Sequence, residues 1–142
     1  TRHIKLDWNS LGKVYYSKDI GGLGSDDALV LELTVPANAA ITNTPRTISG
    51  AEWIDLGVPR SAYLSTKPCD FSTSVFGYGS ESAGTSFGVN FAVGSTTSAG
   101  RWAFPSPVPP KVAPGTTVYL NVKNATPGAC GSGSCNVFAT FK

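Results

Sequence analysis

The sequence predicts an all-β fold: an antiparallel β-sandwich, jelly-roll or immunoglobulin-like, of about eight or nine strands. Three observations carry that expectation. Apolar and polar residues alternate with period two along most of the chain. Clusters of Gly and Pro interrupt the alternation at short intervals. No segment places apolar residues at i, i+3, i+4 and i+7 over three helical turns. The chain has 142 residues, enough for one domain with a real core, so residues 1–142 are read as a single sandwich without linker, repeat or low-complexity tract.

Each element follows from the same period. Residues 3–8 set Ile4, Leu6 and Trp8 on the inner face. Residues 28–35 place Leu29, Leu31, Leu33 and Val35 on one face, with Glu32 and Thr34 on the other. Residues 87–93 turn Phe87, Val89, Phe91 and Val93 inward, against Gly88, Asn90 and Ala92. Residues 117–122 turn Val118, Leu120 and Val122 inward, against Thr117, Tyr119 and Asn121. Such alternation faces a core on one side and solvent on the other. Weaker strands are expected at 14–16, 53–56, 62–65, 101–104 and 137–141.

Turn signals separate these runs: Gly21-Gly22, Pro36-Ala37-Asn38, Asn43-Thr44-Pro45, Gly57-Val58-Pro59, Gly77-Tyr78-Gly79 and Pro114-Gly115. Pro114-Gly115 feeds the strand that bears Tyr119, and in immunoglobulin-like sandwiches a Tyr near such a corner bonds back to the turn. The proline-rich stretch 105–110 reads as a stiff crossover between sheets, kept from pairing as an edge strand by its prolines. Residues 71–85, rich in Ser and Gly, are the expected long exposed loop.

Cys130 and Cys135 bracket a Gly131-Ser132-Gly133-Ser134 tip just before the last strand. A disulfide there pins a turn that has no apolar side chain to hold it, worth roughly 2 kcal/mol in the chain-entropy model. Disulfides persist in oxidising places, so the expected setting is extracellular, on a bacterial cell surface or on a virion surface. Cys69 is the odd cysteine. It is read as a small buried hydrophobe, with pairing to another cysteine or another subunit as the sharper alternative.

Charged residues are only 14% of the chain, against roughly 25% in an average soluble domain. That composition suits an extracellular β protein or one packed into an assembly. The net charge of +2 comes with no basic stripe, which argues against a nucleic-acid partner. No run approaches the roughly 20 apolar residues of a membrane-spanning helix, so no membrane insertion is expected. The opening Thr-Arg-His-Ile-Lys has no apolar signal-peptide core. Three histories fit: a mature secreted chain, a fragment, or a whole chain that lost its initiator Met.

Residues 60–71, residues 114–124, and Cys130 with Cys135 together resemble a loose family of bacterial and phage-encoded extracytoplasmic β-sandwich proteins. The resemblance covers roughly the C-terminal two-thirds and rests on structural motifs: a strand, a tight turn and a pinned hairpin. It implies location and fold, and no catalytic residue.

The chemistry-bearing residues point the same way. His3 is the sole histidine and there is no Gly-x-Ser-x-Gly elbow, so a nucleophile lacks its base. Paired carboxylates hydrolyse glycosides. Here Glu52 and Asp55 flank Trp53, but solvated or turn-capping carboxylates are the favoured reading. Asp26 and Asp27 supply two or three of the six to eight oxygens that calcium needs, and an Asx turn is favoured over a metal there. No metal or other cofactor is expected.

The aromatics are the remaining binding signal. Trp53 beside Glu52, Trp102 beside Arg101, and Tyr78 with Phe76 are the candidates for ligand or partner contact. The expected function is a non-catalytic structural module on a virion or bacterial surface appendage, of the capsid-decoration, tail or fibre type. It would contact copies of itself or a capsid, tail or appendage protein. The alternative is a carbohydrate-binding module or adhesin tip that recognises cell-surface glycans.

Overall fold

The computed structural model describes residues 2–17, 28–42, 44–52, 60–73, 76–77, 79–80, 86–101, 108–124 and 137–142. Among them every regular element is a strand. The ten strands are β1 (Arg2–Lys5), β2 (Val14–Ser17), β3 (Leu29–Thr34), β4 (Arg46–Glu52), β5 (Arg60–Ser65), β6 (Gly79–Ser80), β7 (Ser86–Val93), β8 (Lys111–Val112), β9 (Thr117–Asn124) and β10 (Val137–Phe141). They form two five-stranded sheets, ordered β1-β3-β9-β5-β6 and β2-β10-β4-β7-β8. The expected all-β sandwich is what the chain forms.

Consecutive strands change sheet at every connection except β5–β6 and β7–β8. Two pairs depart from a purely antiparallel arrangement, and this crossing explains the first. The chain leaves β1, visits β2 in the other sheet and returns, so β3 runs alongside β1 in the same direction. β8 is likewise parallel to β7, because the chain first travels back along the edge of the second sheet. Residues 98–101 and 108–111 pair with each other on the way, through Ser98–Lys111 and Arg101–Val108 bridges.

The inner faces merge into one apolar core. Leu29, Leu31, Leu33 and Val35 meet Val118, Leu120 and Val122 from the first sheet, and Phe87, Val89, Phe91, Val93 and Phe141 from the second. All of these except Phe141 are expected to point inward from their spacing. Leu6 joins them, with Ile4 and Trp8 packed against the cluster. Burying each large side chain contributes about 1.5–3 kcal/mol.

β4 escapes the alternation rule because Ile48 is its one large apolar residue. Its outer side is a polar ladder: the Thr47 hydroxyl donates to Asn90 Oδ1 at 2.6 Å, and Ser49 and Thr140 hydroxyls meet at 3.2 Å. Its inner Gly50 yields space to a neighbour. A Cβ there would collide with the Phe87 ring and with the Phe138 carbonyl oxygen.

Three local expectations change. The segment from 71 to 85 is not a wholly exposed loop: Phe76 is in the core, and β6 pairs with Ala62 and Tyr63 of β5. The proline-rich stretch ends as part of a sheet edge. Pro110 accepts a hydrogen bond from the Ala92 amide, and Val108 exchanges two with Arg101, since proline loses only the donor. The Pro114-Gly115 turn forms with Gly115 at φ 86°, as a type II turn requires, and Thr116 N–H closes it on Ala113. Tyr119, however, turns its ring edge-on to His3, centroids 6.2 Å apart. The strand expected at 53–56 lies outside the described residues, as does 102–104 of the strand expected at 101–104.

Gly50→Ala is expected to lower stability by about 1–3 kcal/mol through overpacking. Urea unfolding should show a lower midpoint at unchanged slope; an unchanged midpoint would deny the close Gly50–Phe87 approach.

Candidate functional site

The outer face of the first sheet is where the structure departs most from a simple sandwich. β5 is buried at all six positions, outward ones included. Its inner residues Ala62 and Leu64 belong to the core. Its outer residues Ser61, Tyr63 and Ser65 are covered too. Residues 66–73 fold back over this face, and Asn121 of β9 is the post they are tied to.

Asn121 lies opposite Tyr63 in the register and is fully buried. Its Nδ2 donates to the carbonyls of Lys67 and Asp70, both at 3.0 Å. Its Oδ1 accepts the Cys69 amide at 2.9 Å. A strand side chain thus replaces the partner strand that these backbone groups lack. Ser65 completes the tie. Its hydroxyl donates to Asp70 Oδ2 at 2.6 Å and accepts the Lys67 amide at 3.1 Å. Asp70 Oδ1 accepts the Ser72 amide at 3.1 Å. The hydrogen bonds from the Ser65 and Ser72 side chains hold the Asp70 carboxyl below its ordinary value, with smaller help from the Ser72 amide and the Lys67 charge.

Cys69 sits at the crest of this turn. It is exposed, and its φ of 58° is left-handed. That corrects the expectation of a small buried hydrophobe. The conformation costs roughly 1–2 kcal/mol for a residue with a Cβ, offset by the Asn121 bonds on either side. Beyond it, Phe71 packs edge-on against Tyr63 at 6.0 Å, and Lys123 Nζ lies 4.5 Å from the Phe71 ring.

Two further clusters occupy the surface. On β1 and β3, His3 Nε2 lies 2.8 Å from Glu32 Oε1, and Lys5 Nζ lies 4.0 Å from Glu32 Oε2. Around Phe141, the Arg46 guanidinium stacks over Trp8 at 4.1 Å and over Phe141 at 5.4 Å. Beside them Asp7 accepts the Asn9 amide and the Ser10 hydroxyl. Those two bonds, the amide first, hold its carboxyl below the ordinary value. Among the described residues no three or more His, Cys, Asp or Glu side chains gather as a metal site would require.

The aromatic candidates fare unevenly. Phe76 is fully buried and packs in the core, so it offers no face to a ligand. Arg101 is exposed at the edge of the second sheet. Trp53, Trp102 and Tyr78 lie outside the described residues, as do Cys130, Cys135, Asp26 and Asp27; Glu52 is placed by its backbone alone. Sequence reasoning missed Asn121 and Ser65. Alternation assigns Asn121 to an outward position, and nothing in a strand's period says that a distant loop will cover it. A pairing of Trp with Arg, of the kind sought at Trp102, is formed by Trp8 and Arg46, 38 positions apart and therefore invisible to local composition.

No family model matches this chain, and no curated protein is similar to it in sequence. Among solved structures it is similar to the pre-peptidase C-terminal domain of a collagenase from Bacillus anthracis. That match has a TM-score of 0.47 and 14% identity, and covers 99% of this chain and 93% of that one.

Two outcomes test this region. Asn121→Leu leaves one amide and two carbonyls without partners and should cost about 2 kcal/mol or more, with faster amide exchange at Cys69. An unchanged exchange rate at Cys69 would show that the loop holds without the carboxamide. For Asp70 the folded value is depressed below 3.8, so its contribution is complete above that pH and is lost as pH falls through the lower folded value. Asp70→Asn should therefore flatten the stability curve below about pH 4 and leave its shape near neutrality unchanged; an acid limb identical to the parent's would count against it.

Proposed function

We propose that this chain is a non-catalytic β-sandwich module that works by surface contact, on a virion or a bacterial surface appendage. One division of labour supports the reading. Among the described residues, the side chains suited to acid–base chemistry are engaged in structural bonds: His3 with Glu32, Asp7 with its turn, Asp70 with Ser65 and Ser72. The described surface instead presents apolar groups. Leu11 is 54% exposed, Ile41 60% and Val14 40%. Leu11 and Val14 lie one turn apart at the start of β2, the edge strand of the second sheet among the described strands. An edge with apolar side chains is a ready place for another chain to pack.

Low charge and a fold built from short covered strands agree with life in an assembly rather than as a dilute enzyme. The contact partner is a protein: copies of the chain itself, or a capsid, tail or appendage subunit.

The native particle mass, measured by light scattering after size exclusion in non-reducing buffer, tests the reading. A multiple of the 14.7 kDa chain mass is expected. A particle of one chain at every concentration would contradict self-assembly.

A further inference from the structure

β1 and β3 run side by side in the same direction, so the chain leaves both at one end of the sandwich and crosses from there to β2 and β4 of the second sheet. Trp8 lies in the first crossing, and Arg46 opens β4 after the second. The Arg46 guanidinium stacks over the Trp8 ring at 4.1 Å, so the two crossings meet. Both are fastened to the close of β10: Gly12 N–H bonds to the Phe141 carbonyl at 2.7 Å, and Thr47 and Lys142 exchange two bonds at 3.0 Å. Of the four large apolar side chains exposed among the described residues, three belong to this end: Leu11 in the first crossing, Ile41 in the second and Val14 at the start of β2.

The guanidinium of Arg46 is held by aromatic faces: Trp8, and Phe141 at 5.4 Å. Among the described residues no group accepts a hydrogen bond from it and no carboxylate pairs with it. Of its three nitrogens only Nη1 is closed off from water, and it has no acceptor. Leaving such a donor unpaired is costly, and stacking fixes the planar fork in an orientation that suits a carboxylate. The molecule's own acids do not answer it. Each acid whose side chain is described is engaged elsewhere: Asp7 with the Asn9 amide and Ser10 hydroxyl, Glu32 with His3 and Lys5, Asp70 with Ser65 and Ser72. The described surface of a second copy therefore offers no free carboxylate either, and a different protein is the fitting source of one. A second cation stands two residues from Leu11: Lys13, whose Nζ lies 5.0 Å from the Tyr15 ring.

We propose that this end docks an acidic, aliphatic segment of a different protein, with one carboxylate seated on Arg46 and apolar side chains packed against Leu11 and Ile41. The inference rests on the reading of the chain as a protein-contact module and adds the chemistry of its partner. Arg and Trp are the side chains that most often anchor protein contacts, and here they are already stacked on each other. A guanidinium fixed in this way reads a directional acceptor, and the unpaired donor is what separates a carboxylate from a neutral amide at the same place. Lys13 steers the approach of an acidic chain, while the exposed aliphatic groups supply the area.

The test is two-dimensional NMR of the intact chain titrated with a synthetic peptide of alternating Asp and Leu. The Trp8 indole N–H, the Arg46 Nε–H and the amides of Leu11 and Ile41 should shift along one saturating curve. The same peptide with Asn in place of Asp should bind roughly tenfold more weakly or worse, and so should the acidic peptide to Arg46→Lys, which keeps the charge but loses the fork. The double variant Leu11→Ser, Ile41→Ser changes exposed positions that the core does not use, and it should also weaken binding roughly tenfold. No shift at these residues, or equal binding of the Asn peptide, overturns the proposal. Phosphatidylserine vesicles that bind through these residues while the peptide is inert overturn it in favour of a membrane surface. Self-association that persists in both variants while the peptide is inert overturns this contact and leaves the assembly reading standing. A chain that stays monomeric yet binds the peptide through Arg46 upholds the contact and removes only the self-assembled form of that reading.

Discussion

Neither sheet of this protein can form without the other. The chain changes sheet at nearly every connection among the described strands, so strands adjacent in sequence are seldom adjacent in a sheet. β3 finds its antiparallel partner β9 some 80 residues later, and β4 meets β10 across a similar separation. Ordering costs of that kind are recovered only when both inner faces close on one core. Leu31, Leu33 and Leu120 of one sheet and Ile48, Phe91 and Phe141 of the other belong to that same cluster. Everything at the surface is positioned by this closure.

The crossing also sorts the connections. Those of one end include the tight Ala113–Thr116 turn, which links β8 of the second sheet to β9 of the first and is anchored through Val35. The return loop over the outer face of the first sheet depends on the same frame. Asn121 can hold three backbone groups only because β9 is a central strand, flanked by β3 and β5. A buried amide with three bonds rigidifies the loop; the same amide on an edge strand would be wet and weakly ordering.

What was legible in the sequence was the inner face. β3, β7 and β9 carry large apolar residues at alternate positions, and burial of one face is what such a pattern encodes. β4 was not legible, since Gly50 contributes by leaving room for Phe87 and its polar outer residues pair with other polar residues across strands. The outer-face site was hidden for a related reason. Asn121 and Ser65 look like solvent-facing strand residues, and only the path of residues 66–73 makes them interior. Cys69 inverted its expectation because a cysteine's preference for burial yields to the backbone demand of a turn held on both sides. Phe76 moved from candidate contact to core because a Ser- and Gly-rich stretch can still carry one anchor.

Native-state hydrogen exchange tests the mutual dependence of the sheets most directly. The amides of Leu31 and Leu120 in the first sheet, and of Ile48 and Val89 in the second, should share the slowest exchange, with one free energy equal to that of global unfolding. Protection that survives in one sheet while the other exchanges through a separate, lower-energy opening would contradict the account.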